Sequence, residues 1–325
     1  MKRYVYTNQK GGVTKTTTAI SCAVMGTLCQ KRVLLVDMDG QGNTTWSLGY
    51  APDAIEHTVY TAMRGESTIE QVLKPTYFDP KTGRFFDPNH PGVMEILGLR
   101  SLEEARRGPD LLPNNIIASS ADIELVENPT WGILLQQLLV NLDTYDEIHI
   151  DTNPSLGKLT VNALYSATDV IIPMTPEAWS LQGMVQLARA VAQTQKSNRS
   201  LRIDGVVFTR VRYASHQQVM KQVRESILPD INHRYPGLNI EAFSSIINEG
   251  ASFGEAINNR TNVTLAAPWS NFALQYWQFY LELLKRSGGL GLPVALQTYQ
   301  GLYTRYQQEE QERQARKQAR AATER

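Results

Sequence analysis

Short apolar runs recur along the chain, and stretches with helical periodicity separate most of them. Five runs predict buried strands, because each is short and largely apolar on both faces; they cover residues 4–6, 32–37, 147–151, 170–173 and 204–210. Between the first two runs, apolar residues return every three or four positions over residues 20–28, which is the spacing of one helix face. This alternation predicts an α/β fold with a doubly wound, mostly parallel sheet.

Residues 74–113 break this pattern. Six prolines and four glycines fall within this segment and interrupt any long element. Residues 82–86 predict a small hairpin that turns at a Thr-Gly pair, and Ser101 followed by Glu104 predicts a capping box that opens a short helix. We interpret the segment as a surface insertion whose role the sequence does not reveal.

The chain after residue 286 has a composition of its own. Three glycines and a proline between residues 288 and 293 predict a hinge. Residues 296–306 carry leucines and tyrosines three or four positions apart, which predicts a helix with one apolar stripe. Residues 307–325 are mostly Gln, Glu, Arg, Lys and Ala and predict a solvated helix; a nucleic-acid arm is the alternative. We therefore expect a main domain over residues 1–286 and a helical, charged C-terminal tail over residues 287–325.

The composition excludes several classes of protein. The chain has 32 acidic and 32 basic residues among 325, so any binding of nucleic acid requires a local patch of charge. No apolar run reaches the ~20 residues that cross a membrane, and the early first strand leaves no room for a signal peptide. The two cysteines, Cys22 and Cys29, lie on one face of one predicted helix, which argues against a disulfide framework and a zinc site. We expect a cytoplasmic protein.

Residues 8–17, with the sequence Asn-Gln-Lys-Gly-Gly-Val-Thr-Lys-Thr-Thr, join the first predicted strand to the first helix. A strand, a glycine turn and a helix in this order form a phosphate cradle, because backbone N–H groups and the helix N-terminus face the anion. Lys15 would reach the terminal phosphates of ATP, and the Thr16 hydroxyl would ligate Mg²⁺. A surface turn is the alternative. The expected nucleotide-binding residues of this loop are Lys10, Gly11, Gly12, Val13, Thr14, Lys15, Thr16 and Thr17.

The loop departs from the common G-x-x-x-x-G-K-[ST] motif, because Gln9 and Thr14 stand at the two glycine positions. It resembles the deviant Walker A motif, K-G-G-x-x-K-[ST]-[ST], of the ParA/MinD ATPases. Lys10 matches the additional lysine of that family. The resemblance implies that Lys10 reaches across a dimer to the partner's phosphates and that Lys10 and Lys15 both act in catalysis. A β-branched residue at position 14 could alter how closely that partner approaches.

A second segment resembles the switch I motif of ParA proteins. Residues 37–45 follow a predicted strand and are similar to D-x-D-P-Q-G-N-x-T, with Gly40 in place of the proline. Ligands bind at the carboxyl ends of strands in open α/β sheets, which is where this segment lies. The resemblance implies that Asp39 orients the water that attacks ATP.

A third segment resembles the Walker B or switch II motif. Residues 151–157 are similar to D-x-P-P-S-L-G, with Asn153 in place of the first proline. The resemblance implies that Asp151 holds Mg²⁺ through a bound water, since hard oxygen ligands suit this ion, and that Pro154 lies beside the nucleotide. The expected metal ligands, direct or through water, are Thr16, Asp39 and Asp151.

The resemblance continues outside the three motifs. Residues 111–115 are similar to an L-L-P-S-N segment of the family, and residues 246–254 are similar to a late segment that ends in S-F-G. Thr209 and Asn248 fall where the family's adenine-facing loops lie. Apart from the insertion, the resemblance covers residues 1–285.

The ParA resemblance implies a complete biochemical cycle. Mg²⁺-ATP closes a sandwich homodimer, the dimer binds DNA without sequence preference, and a ParB-like partner stimulates hydrolysis of ATP to ADP and phosphate. The implied function is partition of a plasmid or chromosome on the nucleoid. An ATPase that positions a protein cargo, such as a microcompartment, remains an alternative with a cargo adaptor as its partner. A biosynthetic ligase such as a dethiobiotin synthetase, which shares the cradle, is a further alternative.

Other members of the wider group fit less well. Iron–sulfur reductases need cysteines far from the phosphate loop, and both cysteines here lie in the first helix. A membrane-positioning ATPase of the MinD type needs an amphipathic terminal helix, and the last residues lack an apolar face, so we expect no membrane partner. Tyrosine kinases of the group carry a terminal tyrosine cluster, but the tyrosines near residue 303 alternate with leucines in a helical register that favours packing.

A DNA-binding surface must come from individual basic residues, since the net charge is zero. Lys221 and Arg224 lie three positions apart on one predicted helix and share a face. The resemblance places Arg224 where relatives have a DNA-contacting arginine. For each such residue, an ordinary solvated charge is the alternative. The expected DNA-binding residues are Lys221, Arg224, Arg260, Lys285 and Arg286.

Overall fold

The computed structural model describes residues 1–125, 128–177, 180–212, 214–250 and 259–323, and within these it leaves the side chains of residues 180–182 and 317–323 undescribed. Its strands, in chain order, are β1 (Lys2–Tyr6), β2 (Val33–Met38), β3 (Tyr77–Phe78), β4 (Phe85–Phe86), β5 (Arg106–Arg107), β6 (Asp110–Leu112), β7 (Glu147–Thr152), β8 (Asp169–Met174), β9 (Arg202–Val211) and β10 (Ala242–Asn248). Seven of them form one sheet in the order β10-β9-β8-β1-β7-β2-β6, and every neighbouring pair is parallel. The predicted α/β fold with a doubly wound, parallel sheet is confirmed.

Helices connect the strands and continue past the last one. They are α1 (Lys15–Leu28), α2 (Asn43–Ser47), α3 (Val59–Met63), α4 (Ile69–Val72), α5 (Val93–Leu97), α6 (Ala121–Glu124), α7 (Leu134–Leu139), α8 (Lys158–Ser166), α9 (Ser180–Thr194), α10 (Ala214–Gln222), α11 (Leu228–Arg234), α12 (Val263–Ala266), α13 (Asn271–Arg286) and α14 (Leu292–Thr323). A π-helical turn over Val223–Ile227 joins α10 to α11. None of the helices among the described residues is both long and apolar enough for a membrane crossing.

The sheet is buried on both faces, which explains why its strands read as continuous apolar runs. Alternate residues of one strand point to opposite faces. In β1, Val5 packs into a core with the helices on one face, whereas Tyr4 and Tyr6 pack into a second core on the other face. Leu34 and Leu35 of β2 divide in the same way. The sheet thus has a hydrophobic core on each side.

A buried polar network crosses the second core. Tyr6 and His149 are joined through the phenol oxygen and Nδ1 (2.8 Å), and His149 Nε2 lies 3.3 Å from the carboxylate of Glu147. Lys31 pairs with the same carboxylate at 2.6 Å, and Tyr280 of α13 donates to it at 3.0 Å. Buried charges require such partners, so the network ties α13 to the start of β7.

The insertion forms a three-stranded antiparallel sheet in the order β4-β3-β5. The predicted hairpin is present, since β3 pairs with β4 and Gly83 turns between them with a φ of +70°. The short helix expected after Ser101 is a single 3₁₀ turn, and the Ser101 side chain makes no capping hydrogen bond. Instead, Glu104 accepts from the backbone N–H of Arg100. The segment is therefore more ordered than its proline content suggests.

The C-terminal helix α14 lies on the main body of the protein. Gly288, Gly289 and Gly291 all have positive φ, which is the backbone of a sharp turn. Ala295 is fully buried, and four other apolar residues of the helix pack against the second core: Leu292, Leu296, Tyr299 and Leu302. The division of the chain at residue 286 stays a prediction.

Candidate functional site

The carboxyl ends of β1, β2 and β7 bring the three sequence motifs to one edge of the sheet. In the parallel register, Asp151 of β7 stands beside Tyr6 of β1 and beside Asp37 of β2. The loop after β1 opens α1 at Lys15, and the loop after β2 opens α2 at Asn43. Because parallel strands point the same way, these loops share one cleft, with a volume of about 820 Å³.

The loop between β1 and α1 is fastened at several points. Asn8 accepts a hydrogen bond from the backbone N–H of Lys10 (3.1 Å) and donates one to the carbonyl of Pro173 (2.8 Å), at the end of β8. The hydroxyl of Thr209, on β9, donates to the carbonyl of Val13 (3.1 Å). Hydrogen bonds to β8 and β9 thus hold the loop in its conformation before any ligand binds.

Two residues of this loop have a left-handed backbone: Gly12, with a φ of +75°, and Thr14, with a φ of +66°. Thr14 stands where the common motif has its second glycine, and its φ explains that preference. The conformation is strained for a β-branched residue. The Thr14 hydroxyl lies 3.4 Å from that of Thr18, one turn into α1. The loop thus keeps a glycine-like backbone at a residue with a side chain.

Lys15 is suited to an anionic ligand. It is only 7% exposed, and its ammonium donates to the carbonyl of Lys10 at 3.2 Å. Burial lowers the pKa of Lys15, while the negative charges of Asp151 and Asp39 oppose this change. A phosphate in the cleft would form a charge-assisted hydrogen bond with this poorly solvated cation.

Asp151 joins the loop after β1 to helix α2. Its Oδ2 accepts hydrogen bonds from the hydroxyls of Thr16 (2.7 Å) and Thr44 (2.8 Å). Its Oδ1 is buried without a hydrogen-bond partner among the described residues, and burial raises the pKa of Asp151 to about 6. An orphaned carboxylate oxygen beside two hydroxyls fits Mg²⁺ with water in its coordination shell.

The metal site would not be built by protein carboxylates alone. Within the described part of the chain, no three His, Cys, Asp or Glu side chains form a cluster that could hold a metal. Mg²⁺ commonly uses one or two protein oxygens together with substrate phosphates and waters. The residues present fit that second arrangement.

The two aspartates after β2 occupy different environments. Asp37 is fully buried and accepts hydrogen bonds from the N–H and hydroxyl of Thr45 and from the N–H of Asp39. Asp37 therefore shapes the loop. Asp39 lines the cleft, is 8% exposed, and accepts from the N–H of Gln41 (3.0 Å). Its carboxylate is placed where it can hold a water in the cleft.

Lys10 has its partners within its own chain. Its ammonium forms an ion pair with Glu177 and lies 3.4 Å from the hydroxyl of Thr175. Both acceptors follow β8. The Lys10 side chain is 33% exposed and that of Glu177 is 50% exposed, so this ion pair is weak and can open.

A pair of arginines at the mouth of the cleft was not identified from the sequence. Arg210, at the end of β9, has a φ of +54° and donates to the carbonyl of Gly12 (3.1 Å). Arg210 and Arg212 both pair with Glu249 beyond β10, and all three side chains line the cleft. The sequence signal that could have identified Arg210 is its place at the carboxyl end of the predicted strand over residues 204–210.

The remaining predicted nucleotide contacts lie in different places. Pro154 lines the cleft together with Thr17. Thr209 is fully buried beneath the loop, so its visible role is to support Val13. Asn248 is exposed and lines an adjoining groove beside Glu249. Residues 251–254 of the predicted late motif lie outside the described residues. These contacts stay predictions.

The predicted DNA-binding residues divide into two groups. Lys221 and Lys285 are exposed to solvent. The guanidinium groups of the three arginines donate hydrogen bonds to backbone carbonyls of the same chain. Arg224 donates to the carbonyl of Phe243 (2.8 Å), Arg286 donates to that of Asp204 (2.7 Å), and Arg260 donates to that of Gly49 (3.0 Å). DNA contact by any of the five stays a prediction.

Comparison with known proteins agrees with this site. Residues 1–82 and 94–203 match a family model described as an AAA domain. The chain is 36% identical over 226 residues to the chromosome-partitioning ATPase Soj of Treponema pallidum. This alignment covers 68% of this chain and 77% of that protein. The chain is 30% identical over 289 residues to the sporulation initiation inhibitor protein Soj of Bacillus subtilis, covering 88% of this chain and 97% of that protein.

A solved structure with bound nucleotide supports the cofactor assignment. The chain is similar to cobyrinic acid a,c-diamide synthase of Mycobacterium smegmatis with a bound ATP analogue and magnesium, with a TM-score of 0.61 and 30% identity. The alignment covers 80% of this chain and 91% of that one. Its ligands agree with ATP and Mg²⁺ as the cofactors of the cleft formed here by the loops after β1, β2 and β7. By motifs, fold and sequence identity, the chain belongs to the ParA/MinD family of P-loop ATPases and is similar to its Soj and ParA members.

Proposed function

We propose that the chain is a ParA-type ATPase that hydrolyses Mg²⁺-ATP and drives the partition of DNA. The observation that carries the proposal is the Asp151 carboxylate, which joins Thr16 of the phosphate loop to Thr44 of α2 at 2.7 and 2.8 Å. Lys15 lies in the same cleft with its ammonium largely removed from water. A poorly solvated lysine, two hydroxyls and a carboxylate with one unpaired oxygen are the groups that a magnesium nucleotide requires.

Each residue has one chemical task in this proposal. The backbone N–H groups of Gly11 and Gly12 and the ammonium of Lys15 bind phosphate oxygens. The Thr16 hydroxyl and the Asp151 carboxylate hold Mg²⁺, directly or through water. When bound, Mg²⁺ supplies positive charge that offsets the negative charge on the phosphates. Asp39 holds and orients a water for attack.

Lys10 gives the reaction its dependence on a second subunit. In the proposal, two copies close face to face over ATP, and Lys10 of each reaches the phosphates of the other. A cation added to the transferring phosphoryl group stabilises the charge of the transition state. Hydrolysis in the isolated monomer is then slow, because no second Lys10 reaches its phosphates, while its own Lys10 is paired with Glu177.

The closed dimer binds DNA without sequence preference, and a ParB-like partner or a cargo adaptor stimulates hydrolysis. The neutral chain has no general attraction for DNA, so binding must depend on a basic patch that two subunits form together. Such a protein associates with the nucleoid in its ATP state and leaves it after hydrolysis.

A second function is favoured by one specific observation, the 30% identity to cobyrinic acid a,c-diamide synthase. An enzyme that makes amides with ATP would use the same cradle to activate a carboxylic acid. It would hydrolyse ATP only with its acid and nitrogen donor present, and DNA would not change its rate. A partition-type ATPase that positions a protein cargo is the nearer alternative; a gene for a ParB-like protein next to this one, with centromere-like repeats, would favour DNA as the cargo.

The test measures ATP hydrolysis, subunit association and DNA binding in one preparation. We expect hydrolysis that requires Mg²⁺, a monomer-to-dimer change by light scattering with ATP but not ADP, and anisotropy of random-sequence duplex that rises only with ATP. Lys15→Ala is the control and should fail in all three assays. Hydrolysis that DNA leaves unchanged, with no dimer in ATP, would reject the partition function.

A further inference from the structure

Helix α2 (Asn43–Ser47) connects the Asp39 loop to the rest of the protein, and its inner face belongs to the site. Thr44 donates to Asp151, Thr45 donates to Asp37, and both threonines are fully buried. The outer face carries Trp46, which is 39% exposed. Any movement of α2 would therefore move a hydroxyl that contacts the buried carboxylate of Asp151.

Arg260 lies against this outer face. Its guanidinium carbon is 3.7 Å from the centroid of the Trp46 ring, and its Nη1 donates to the carbonyl of Gly49 at 3.0 Å. Among the described residues, no carboxylate lies within ion-pair distance of Arg260. Stacking on Trp46 and the bond to Gly49 are the principal contacts of its side chain; the first is made to α2 itself and the second to the turn just after α2.

The insertion holds Arg260 in turn. Its backbone has a φ of +53°, and its carbonyl accepts a hydrogen bond from the N–H of Phe85 (2.9 Å), on strand β4. Arg84 forms an antiparallel bridge with Thr261. Strand β4 thus extends its pairing to the segment that carries Arg260.

Strand β4 also touches the α2 segment directly. A Cβ at Gly49 would lie 2.5 Å from the Cα of Phe86, so glycine is required there for the two backbones to approach. On the other side, a Cβ at Gly83 would lie 2.6 Å from the backbone N of Ala266, in α12. The hairpin therefore packs between the turn after α2 on one side and α12 on the other.

These contacts involve parts of the chain that the family match leaves out. The match skips residues 83–93, which contain β4, and ends at residue 203, before Arg260. The proposed partition function assigns no role to the insertion. The hairpin contacts the segment after Asp39 in two ways, directly at Gly49 and through Arg260.

We propose that Arg260 is a positioning residue for hydrolysis, which holds α2 against the site through Trp46 and Gly49 while the insertion holds Arg260. The inference rests on the proposed ATPase activity and deepens it. The arginine acts by shape as well as charge, because a planar guanidinium stacks on an indole in a way that an ammonium does not. The sequence places Arg260 among the candidates for DNA contact; the positioning role is a different one.

The two roles predict different results for Arg260→Lys. A phosphate contact needs mainly charge, so the lysine variant would keep DNA affinity and hydrolysis. The positioning role, which we call the brace, needs the guanidinium plane stacked on Trp46 and the bond to Gly49. Arg260→Lys and Arg260→Ala should therefore both lower kcat about threefold to tenfold, in line with the loss of a cation–π contact. The Kd for ATP should change less than the rate, because Lys15 and the phosphate loop are untouched.

Trp46 provides the matching half of the test. Trp46→Ala should lower kcat by no more than Arg260→Ala, since it removes the stacking and leaves the bond to Gly49, and the double variant should be no slower than Arg260→Ala alone. Trp46→Phe keeps an aromatic face and should retain most of the rate. Arg199→Ala, in the exposed loop before β9, is the control. Multiplied effects in the double variant, or a normal rate in Arg260→Lys, would overturn the brace.

Amide hydrogen exchange without nucleotide separates this inference from the proposed function. We expect residues 43–49 to exchange faster in Arg260→Ala and Trp46→Ala than in the wild type and in Arg199→Ala, while the strands of the main sheet are unchanged. That result supports the brace even if the wild type fails to hydrolyse ATP, in which case only the proposed function falls. Unchanged exchange at residues 43–49 would overturn the brace even in an active ATPase.

Discussion

Thr16 and Asp151 lie 135 positions apart in the sequence, and their side chains meet in a hydrogen bond of 2.7 Å. The bond joins the first turn of α1 to the last part of β7. The second hydroxyl on the same oxygen comes from Thr44 of α2. The carboxylate of Asp151 therefore connects β7 to α1 and to α2. Replacing this side chain tests the metal site directly.

Asp151→Asn should remove most of the effect of Mg²⁺ on ATP binding. The amide keeps the size and an acceptor for the threonine hydroxyls but loses the charge that attracts the metal. Groups that act on a metal from the outer shell affect its affinity on the order of 10–100-fold. Calorimetric titration with ATP, in Mg²⁺ and in EDTA, measures the difference. Asp143→Asn, at an exposed position, is the control; equal enhancement by Mg²⁺ in both variants would contradict the metal assignment.

Asp39→Ala should bind ATP and dimerise but hydrolyse slowly. The carboxylate lines the cleft and is the group that we assign to the attacking water. Loss of such a group slows hydrolysis by about 10²-fold or more. Phosphate release under saturating ATP gives the rate, and light scattering gives the dimer. A variant with the wild-type rate would move the role elsewhere, with Asp151 as the next candidate.

Lys10→Ala should bind ATP as a monomer but fail to dimerise and hydrolyse, whereas Lys15→Ala should fail to bind. The complementary variant is Glu177→Gln, which frees Lys10 from its own chain. Because both side chains are partly exposed, the gain in dimer affinity should be no more than about fivefold per subunit. Light scattering over a range of protein concentrations measures it. ATP-dependent dimers of Lys10→Ala would reduce this lysine to an ordinary loop residue.

Asp204 should make the fold less stable as pH rises. Burial and the charge of Asp169 raise the pKa of Asp204 to about 6 from 3.8, against the opposing charge of Arg202. One carboxylate oxygen is buried without a hydrogen-bond partner among the described residues. The folded state therefore binds a proton more tightly, and its stabilisation is full below pH 4 and is lost as pH rises through 6.

Asp204→Asn removes this titration. The shift corresponds to about 2–3 kcal/mol, and partial contact with solvent reduces the expected gain at pH 8 to roughly 1–2 kcal/mol. Thermal melts at pH 8 and at pH 4.5 should show a higher Tm for the variant only at the higher pH. A lower Tm at pH 8 would mean that the ion pair with Arg202 outweighs the cost of burial.

Lys221→Ala should weaken DNA binding through charge alone. Its side chain is 71% exposed, with only a loose pairing to Glu225 at 3.9 Å. If four such contacts act per dimer, log affinity falls with log salt at a slope of about −3.6, and loss of Lys221 from both subunits reduces the slope by about two. Fluorescence anisotropy at several salt concentrations is the measurement.

Arg224→Ala provides the contrast. Its guanidinium donates to the carbonyl of Phe243, so this variant should also lower the free energy of unfolding, by about 1 kcal/mol. A salt slope unchanged by either variant would redirect attention to the arginine-rich end of α14.

The parts of the site that follow local sequence rules could be predicted. Lys15 follows the glycine turn after the first apolar run, and Asp39 and Asp151 stand at or just beyond the ends of the next two. Parallel strands bring such positions to one edge. The left-handed backbone at Thr14 was not predicted, although its place at the second glycine of the common motif is a local signal for it. The contacts that were missed depend on distant segments. Arg210 meets Gly12 across 198 positions, and no periodicity signals such a pair.

The strands of the main sheet could also be predicted from local sequence, but the insertion sheet and the packing of α14 could not. Buried parallel strands are recognisable one at a time by their apolar runs. The sheet of the insertion was missed beyond its hairpin, because its strands are two residues long and one of them, β5, is Arg-Arg. The surface that α14 covers was not predicted either, since a stripe of leucines and tyrosines does not identify the surface against which it packs.

The position of β1 in the sheet has a consequence for synthesis of the protein. It is the fourth of seven strands, and its partners β7 and β8 follow it at a distance of about 145 residues or more, as for Val5 and Ile150. At ~5–20 residues per second, the nascent β1 waits roughly 7–30 s for a neighbour. The phosphate loop is thus translated early but becomes competent late, and until then an apolar strand is available to chaperones and to aggregation.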